Sequence, residues 1–161
     1  MKHLVFLIIL FGNNSFAQSM DFTLYEKSII IIRSSKEFKD FTNNKNVKIQ
    51  VMPEIIPFGI IGFGYFDELK IATGKDFYNL DCPGQIIEDN RVTKLSEKKK
   101  SKYKLYFSPI ENGALIAVLV YASKNDYYYE HVTYWGATVN YFFFFKDNEL
   151  VEFKEGLLHH N

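Results

Sequence analysis

The sequence predicts an α+β domain in which one or two short N-terminal helices pack on a curved sheet, and the last four strands form an antiparallel β-meander. Three observations lead to this prediction. Apolar runs joined by short turn signals fill the C-terminal third of the chain, whereas the helical signals come earlier. The 16 Phe and 11 Tyr residues supply a large core. A cone-like curvature would suit this order of elements, although no motif indicates a particular family.

The N-terminus has the three-part layout of a secretory signal peptide. Lys2 and His3 precede the apolar run Leu4–Phe11, and Ala17 ends a short segment with small residues at a cleavage position. The apolar run is much shorter than the roughly 20 residues that span a bilayer. We therefore expect a cut after Ala17 that removes residues 1–17. Residues 18–161 would then form a single secreted or periplasmic domain without a transmembrane span.

Charge and cysteine content exclude several classes of function. Without the signal peptide, the chain carries 18 basic and 19 acidic residues, so it lacks the positive field that general nucleic-acid binding requires. Cys82 is the only cysteine in the sequence, which excludes an internal disulfide. We expect no nucleic-acid partner, no cofactor and a fold held together by packing.

Residues 21–33 carry two competing patterns. An apolar stripe at helical spacing runs from Phe22 to Ile32, whereas four successive isoleucines favour a buried strand. We predict a strand over Ser28–Arg33. Ser34, followed three residues later by Glu37, then has the spacing of a capping box at the start of a short helix.

The next elements are a strand and a glycine-rich segment. Alternation around Ile49 predicts a strand that Pro53 closes. Residues 54–66 are apolar but interrupted by Pro57 and three glycines, which predicts a bent strand or loop with close backbone packing. The GxxGxG spacing does not match the dinucleotide-binding fingerprint, and the chain contains no phosphate-binding P-loop motif.

Residues 91–104 collect seven basic side chains against one acid, Glu97. Such a run is typical of a solvated loop leading into an edge strand, where lysines block unwanted strand pairing. A second interpretation is an anion site for a phosphorylated glycan or an acidic lipid headgroup.

Strand signals follow one another in the C-terminal part. Alternation predicts a strand at Tyr103–Phe107, and Asn112-Gly113 is the strongest hairpin signal in the chain. Ala114–Ala122 is apolar on both faces, which predicts a central strand. Tyr127–Trp135 favours a strand by composition, with a short helix as the alternative.

Asn140–Glu155 predicts a long hairpin folded over Asp147 and Asn148. In the simplest register Phe144 opposes Val151 and Phe142 opposes Phe153, which places these four side chains on one face. The opposite face would carry Tyr141, Phe143 and Phe145 with Leu150, Glu152 and Lys154. The first strand is apolar on both faces, so it is either covered on both sides, which we favour, or exposes an aromatic binding surface.

Few residues suggest catalysis. His131 beside Glu130 is the best candidate for proton transfer, although neighbours in a strand point to opposite faces and an ordinary half-buried histidine is the simpler explanation. Cys82 is a candidate nucleophile, but an adjacent carboxylate would reduce its reactivity. His159 and His160 resemble a frayed end, so we predict no metal site.

Aromatic rings on an exposed sheet face could stack on an apolar ligand or a sugar. The candidates are Tyr129, Tyr134, Trp135, Tyr141 and Phe143, and the alternative is that these rings fill the core. We expect a non-enzymatic module that binds a small molecule, a glycan or a protein. Two alternatives stay open: a small hydrolase-like enzyme with a His/carboxylate pair, and an oligomer assembled through an exposed strand at Tyr141–Phe145.

Overall fold

Six strands form one mixed sheet in the computed structural model, which describes residues 22–79, 84–122 and 136–160. The strands are β1 (Ile49–Ile55), β2 (Ile87–Glu88), β3 (Tyr103–Phe107), β4 (Ala114–Tyr121), β5 (Gly136–Lys146) and β6 (Glu149–His160). Their spatial order is β2-β1-β3-β4-β5-β6. β1 and β3 are parallel, and the other neighbouring pairs are antiparallel.

Helices cover both faces of this sheet within the described residues. On one face Ile32 and Phe38 pack with Phe143, and on the other Leu69 packs with Phe142, because successive side chains of β5 point in opposite directions. The helices are α1 (residues 22–34), α2 (Lys36–Phe41), α3 (Phe58–Ile61) and α4 (Phe66–Thr73), with 3-10 turns at Phe77–Asn79 and Val92–Leu95.

The predicted α+β class and C-terminal meander are confirmed. β3, β4, β5 and β6 are successive neighbours and run antiparallel. The layer formed by α3 and α4 is an addition to the prediction. It is needed because β4 and the aromatic part of β5 are apolar on both faces and must be covered on both.

The predicted strand over Ser28–Arg33 is wrong, because residues 22–34 are helical. Burial follows the helical period, since Ser28 and Ile32 are fully buried while Ile30 is 70% exposed. The Tyr25 hydroxyl in the same stripe donates a hydrogen bond to the Ser108 carbonyl at 3.0 Å. Packing of this stripe on the sheet outweighs the strand preference of the isoleucines.

Helix α2 begins one residue later than the capping pattern predicts. Ser35 is its N-cap and accepts a hydrogen bond from a first-turn amide at 3.2 Å, whereas the Ser34 hydroxyl bonds back to a carbonyl of α1. Glu155 of β6 accepts two further hydrogen bonds, from the backbone amides of Lys36 and Glu37, each at 3.2 Å. A carboxylate at this end is favoured by the helix dipole and ties α2 to β6.

Residues 54–66 form helical turns instead of the predicted bent strand or loop. β1 continues through Pro53 to Ile55, and α3 and the start of α4 follow. Close packing at a glycine is confirmed at Gly62, where a Cβ atom would lie 2.5 Å from Leu69 Cδ1 and 2.6 Å from the Phe58 carbonyl oxygen. The glycine therefore lets α4 fold back tightly against α3.

The C-terminal hairpin turns at Asp147 and Asn148 as predicted, but its register changes after two pairs. Both turn residues have positive φ, as a two-residue hairpin loop requires. A bulge then leaves Val151 without a partner, so Phe144 pairs with Glu152 and Phe143 with Phe153. The predicted register beyond Leu150 is therefore wrong by one residue.

The basic segment does not lead into an edge strand. β3 lies between β1 and β4, and its Lys104 is only 2% exposed. The remaining basic side chains, Arg91, Lys94, Lys98, Lys99, Lys100 and Lys102, are exposed, which agrees with the predicted solvated loop.

The last strand extends further than predicted. His159 pairs with Ala137 and His160 with Gly136 inside β6, so the prediction of a frayed end is wrong. The predicted signal peptide and the segment Tyr127–Trp135 lie outside the described residues. Within residues 22–79, 84–122 and 136–160, no helix has the length and apolar character needed to cross a membrane.

Candidate functional site

Most of the side chains singled out from the sequence lie outside the described residues. These are the three catalytic candidates, Cys82, Glu130 and His131, and the ligand-binding candidates Tyr129, Tyr134 and Trp135. The structure neither brings them together nor separates them.

Tyr141 and Phe143 are described, and both are fully buried with 0% exposure. Their rings belong to an aromatic row under α1 and α2, in which Phe143 stacks on Phe145 at 6.0 Å between centroids and lies 5.2 Å from Phe153. The aromatic strand is thus covered on this face, and these two rings have no exposed surface for a ligand. β5 is also an interior strand, so its Tyr141–Phe145 segment is not a free docking edge.

A cavity of about 220 Å³ lies on the opposite face of the same strand, between α4 and the β5–β6 hairpin. Phe142 and Phe144 from β5 and Ile71 and Ala72 from α4 provide its apolar lining. Its polar side chains are Asp67 and Glu68 from the first turn of α4 and Glu152 and Lys154 from β6. We call this site the α4 pocket.

The bulge at Val151 places the charged residues of β6 in the α4 pocket. In the predicted register Glu152 and Lys154 would share a face with Phe143, under α1 and α2. The extra residue reverses this arrangement, so that Glu152 pairs with Phe144 and Lys154 with Phe142. The pocket therefore combines aromatic rings from β5 with charges from β6.

The pocket wall is fixed by packing around Tyr65. The Tyr65 ring stacks on Phe142 with centroids 5.9 Å apart, and its hydroxyl donates a hydrogen bond to the Asn140 carbonyl at 3.0 Å. Gly156 on β6 lies beneath this hydroxyl, and a Cβ atom there would be 3.5 Å from it. Burial raises the pKa of Tyr65 well above its ordinary value, and nearby carboxylates add to the shift, so the phenol stays neutral.

Lys154 joins the two sides of the pocket. Its Nζ donates a hydrogen bond to Glu68 Oε1 at 2.6 Å and lies 3.1 Å from Glu152 Oε1. Partial burial alone would raise the pKa of Glu68. Three other effects outweigh burial and lower this pKa: a hydrogen bond from Lys154, a hydrogen bond from the backbone, and the positive charge of Lys154. The same two carboxylates raise the pKa of Lys154, so the ammonium form is retained. Glu68 and Lys154 are therefore both charged near neutral pH.

The sequence does not single out Asp67 and Glu68, because two adjacent carboxylates have no spacing that indicates a site. The available signal was the spacing of Glu68 and Ala72, which share one face of a helix. That signal has meaning only once residues 66–73 are known to be helical.

Two strongly exposed rings lie outside the pocket, at the start of α4. Phe63, 67% exposed, and Tyr78 both pack edge-on against Phe66, at centroid distances of 6.3 and 5.1 Å. No cluster of three or more His, Cys, Asp or Glu side chains suited to a metal ion occurs in the described part of the chain.

A second acidic pair lies across β1 and β2, where Glu54 pairs with Glu88. Glu54 Oε2 is buried and has no hydrogen-bond partner among the described residues. Burial raises the pKa of Glu54 above its ordinary value; a backbone hydrogen bond and the charge of Lys104 oppose the shift, and repulsion from Glu88 adds to it.

We expect Glu54→Gln to stabilise the protein at neutral pH by up to about 1 kcal/mol, because it removes a buried charge. The folded carboxyl binds its proton more tightly than the unfolded one, so its contribution to stability is lost as pH rises from about 4.5 through the folded pKa. Urea denaturation at pH 4 and pH 7 measures this difference. If Glu54→Gln stabilised the protein equally at both pH values, the stabilisation would not come from the removed charge. Glu88→Gln is the control at an exposed position, and it is expected to increase the free energy of unfolding by less.

Comparison of the chain with protein-family models, with curated proteins and with solved structures finds no match.

Proposed function

We propose that the protein is an exported binding module whose α4 pocket takes a small ligand on the aromatic face of the sheet. The observation that carries the proposal is the composition of the pocket, in which the half-buried Phe144 and the apolar side chains of α4 face a charged rim. Apolar linings with a few convergent polar groups are characteristic of small-molecule sites, since the former supply binding energy and the latter orientation.

The size of the cavity limits the ligand. A volume of about 220 Å³ is below the roughly 300–1,000 Å³ typical of sites for drug-sized ligands. The pocket therefore suits a fragment-sized molecule, such as a single ring with a short polar substituent. Its wall is preformed, because Phe142 is buried under Tyr65 in the centre of the sheet. The protein would then lose little conformational entropy when the ligand binds.

Export is supported by the N-terminal sequence, where a charged start, an apolar run and a small-residue cleavage position follow one another. The mass of the protein recovered from outside the cytoplasm tests this part of the proposal. A chain beginning at Gln18 is expected, and a chain that retains Met1 would contradict export by cleavage.

Binding is tested with three probes of similar size: benzyl alcohol, benzylamine and benzoate. We expect at least one of them to shift the backbone amide signals of Ala72 and Phe144 in an NMR titration, with a dissociation constant of about 1 mM, as suits a fragment. Ala72→Trp should fill the pocket and abolish these shifts. If the tryptophan variant does not fold, the smaller change Ala72→Leu can be measured instead, and it should weaken the shifts.

The matched control is Ile30→Trp, which adds the same ring at a strongly exposed position on α1. It should leave binding unchanged. The proposal is wrong if none of the three probes affects the pocket amides, or if the shifts persist in a folded Ala72→Trp variant.

A further inference from the structure

We infer that the ligand of the α4 pocket is an organic cation, with an ammonium group on an apolar or aromatic body, and that Lys154 competes with it for the carboxylates of Glu68 and Glu152. This inference rests on the proposed function and adds the chemical class of the ligand. It also assigns Lys154 a regulatory role at the site.

The balance of charge favours a cation. Three carboxylates, of Asp67, Glu68 and Glu152, line the pocket against the single ammonium group of Lys154. Asp67 forms no ion pair within the described part of the chain, so its charge is not locally compensated by a lysine or arginine. An anionic ligand would meet net repulsion from these carboxylates, whereas a cation would be attracted to them.

The aromatic lining supports the same class. Phe144 offers a half-buried ring, whereas Phe142 is only 1% exposed and is stacked with Tyr65. The Phe144 ring carries no polar group that could hold a hydroxyl or an amide of a neutral ligand. The face of a phenylalanine ring attracts a cation within about 6 Å of its centre, and the effect is larger where water is excluded. The Phe144 ring beside carboxylates is thus suited to an ammonium group attached to an apolar body.

Lys154 shows where the cationic group would bind. Its ammonium nitrogen lies 2.6 Å from Glu68 Oε1 and 3.1 Å from Glu152 Oε1, so the two carboxylates already converge on one cation. The side chain is partly exposed and long, and exposed ion pairs are weak, so a ligand can displace it at small cost. Lys154 therefore sets the affinity of the pocket by competing for the same two acids.

The three probes of the binding test also measure charge preference in the purified protein. At pH 7 we expect benzylamine, as its ammonium form, to bind roughly tenfold more tightly than benzyl alcohol, which corresponds to one strong charge interaction. Benzoate is expected to bind most weakly. Raising the salt concentration should weaken benzylamine binding and leave benzyl alcohol binding nearly unchanged.

Two variants with matched controls test the role of Lys154. Lys154→Gln should tighten benzylamine binding by about three- to tenfold, and Glu152→Gln should weaken it by a similar factor. Lys146→Gln and Glu149→Gln make the same changes of charge at the hairpin turn, where the two residues pair with each other outside the pocket. Both control variants should bind benzylamine with an affinity within about twofold of that of the unmodified protein, because the solvent screens distant charges.

Three outcomes would contradict the inference or a part of it. Tighter binding of benzoate or benzyl alcohol than of benzylamine would overturn the cation inference while leaving the pocket a binding site. Weaker benzylamine binding in a folded Lys154→Gln variant would overturn the competition by Lys154. If no probe shifts the pocket amides, the proposed function itself fails, and the inference fails with it.

Discussion

Replacing Gly113 with alanine is expected to lower the free energy of unfolding by about 3–5 kcal/mol, through backbone strain and a steric clash. Gly113 has φ +82°, a region that L-residues with a side chain rarely adopt. A Cβ atom there would also overlap the carbonyl oxygen of Phe145. The backbone cannot easily move away, because the Phe145 amide donates a hydrogen bond to the Gly113 carbonyl at 2.9 Å.

Gly74 provides the control that separates strain from clash. Its φ of +74° is similar, but no atom lies within 4 Å of the position that a Cβ atom would occupy. Gly74→Ala is therefore expected to lower the free energy of unfolding by only about 1 kcal/mol, because the left-handed backbone conformation is the only source of strain. Urea denaturation of both variants measures the difference. Equal losses would show that the contact with Phe145 contributes nothing.

Phe143→Ala is expected to cost about 3–5 kcal/mol, because it removes a fully buried ring and leaves a cavity. The ring lies within the aromatic row beneath α1 and α2, near Tyr141, Phe145 and Phe153. A loss of this size is a large part of the roughly 5–15 kcal/mol that stabilises a typical domain. Phe143→Leu should retain part of the packing and cost less, so it remains measurable if the alanine variant does not fold.

Phe63→Ala is the surface control for this measurement. The ring is 67% exposed, so its removal is expected to change stability by no more than about 0.5 kcal/mol. Comparable losses at positions 63 and 143 would contradict the assignment of the odd-numbered aromatic residues of β5 to the core.

Local signals predicted the C-terminal sheet well. The Asn112-Gly113 turn and the Asp147-Asn148 turn both occur where the sequence indicates, with positive φ at all four residues. Nine apolar or aromatic residues without interruption correctly indicated an interior strand at β4. Such features depend on a few consecutive residues and can therefore be recognised in a single sequence.

The errors arose where distant contacts decide the structure. The isoleucines at 29–32 fit a strand locally, but the stripe with Ser28 and Ile32 finds a sheet face to cover, so the helix is more stable. The bulge at Val151 has no marker in the sequence, because neither glycine nor a turn residue occupies that position. The register could be predicted only as far as the first two pairs.

The α4 pocket was not predicted from the sequence. The aromatic strand was singled out, but the rings proposed for binding, Tyr141 and Phe143, face the core, while Phe142 and Phe144 line the pocket. The charged rim could not be predicted, because it joins α4 to β6 across 86 residues of sequence. A single sequence does not reveal which helix will lie above which strand.

The extra residue at Val151 also determines how the final strand tolerates changes in length. Deleting Val151 would give a regular ladder in which Glu152 still pairs with Phe144 and Phe153 with Phe143, so the side chains that follow would keep their faces. Inserting one residue between Glu152 and Phe153 would instead turn over every side chain that follows. Phe153 would then leave the aromatic row for the cleft beneath α4, and the charge of Lys154 would be forced into the apolar layer under α1 and α2. Glu155 would also turn away from the start of α2 and release its two amides. Insertions should therefore be tolerated far less in β6 after Glu152 than in the solvated loop that precedes β3.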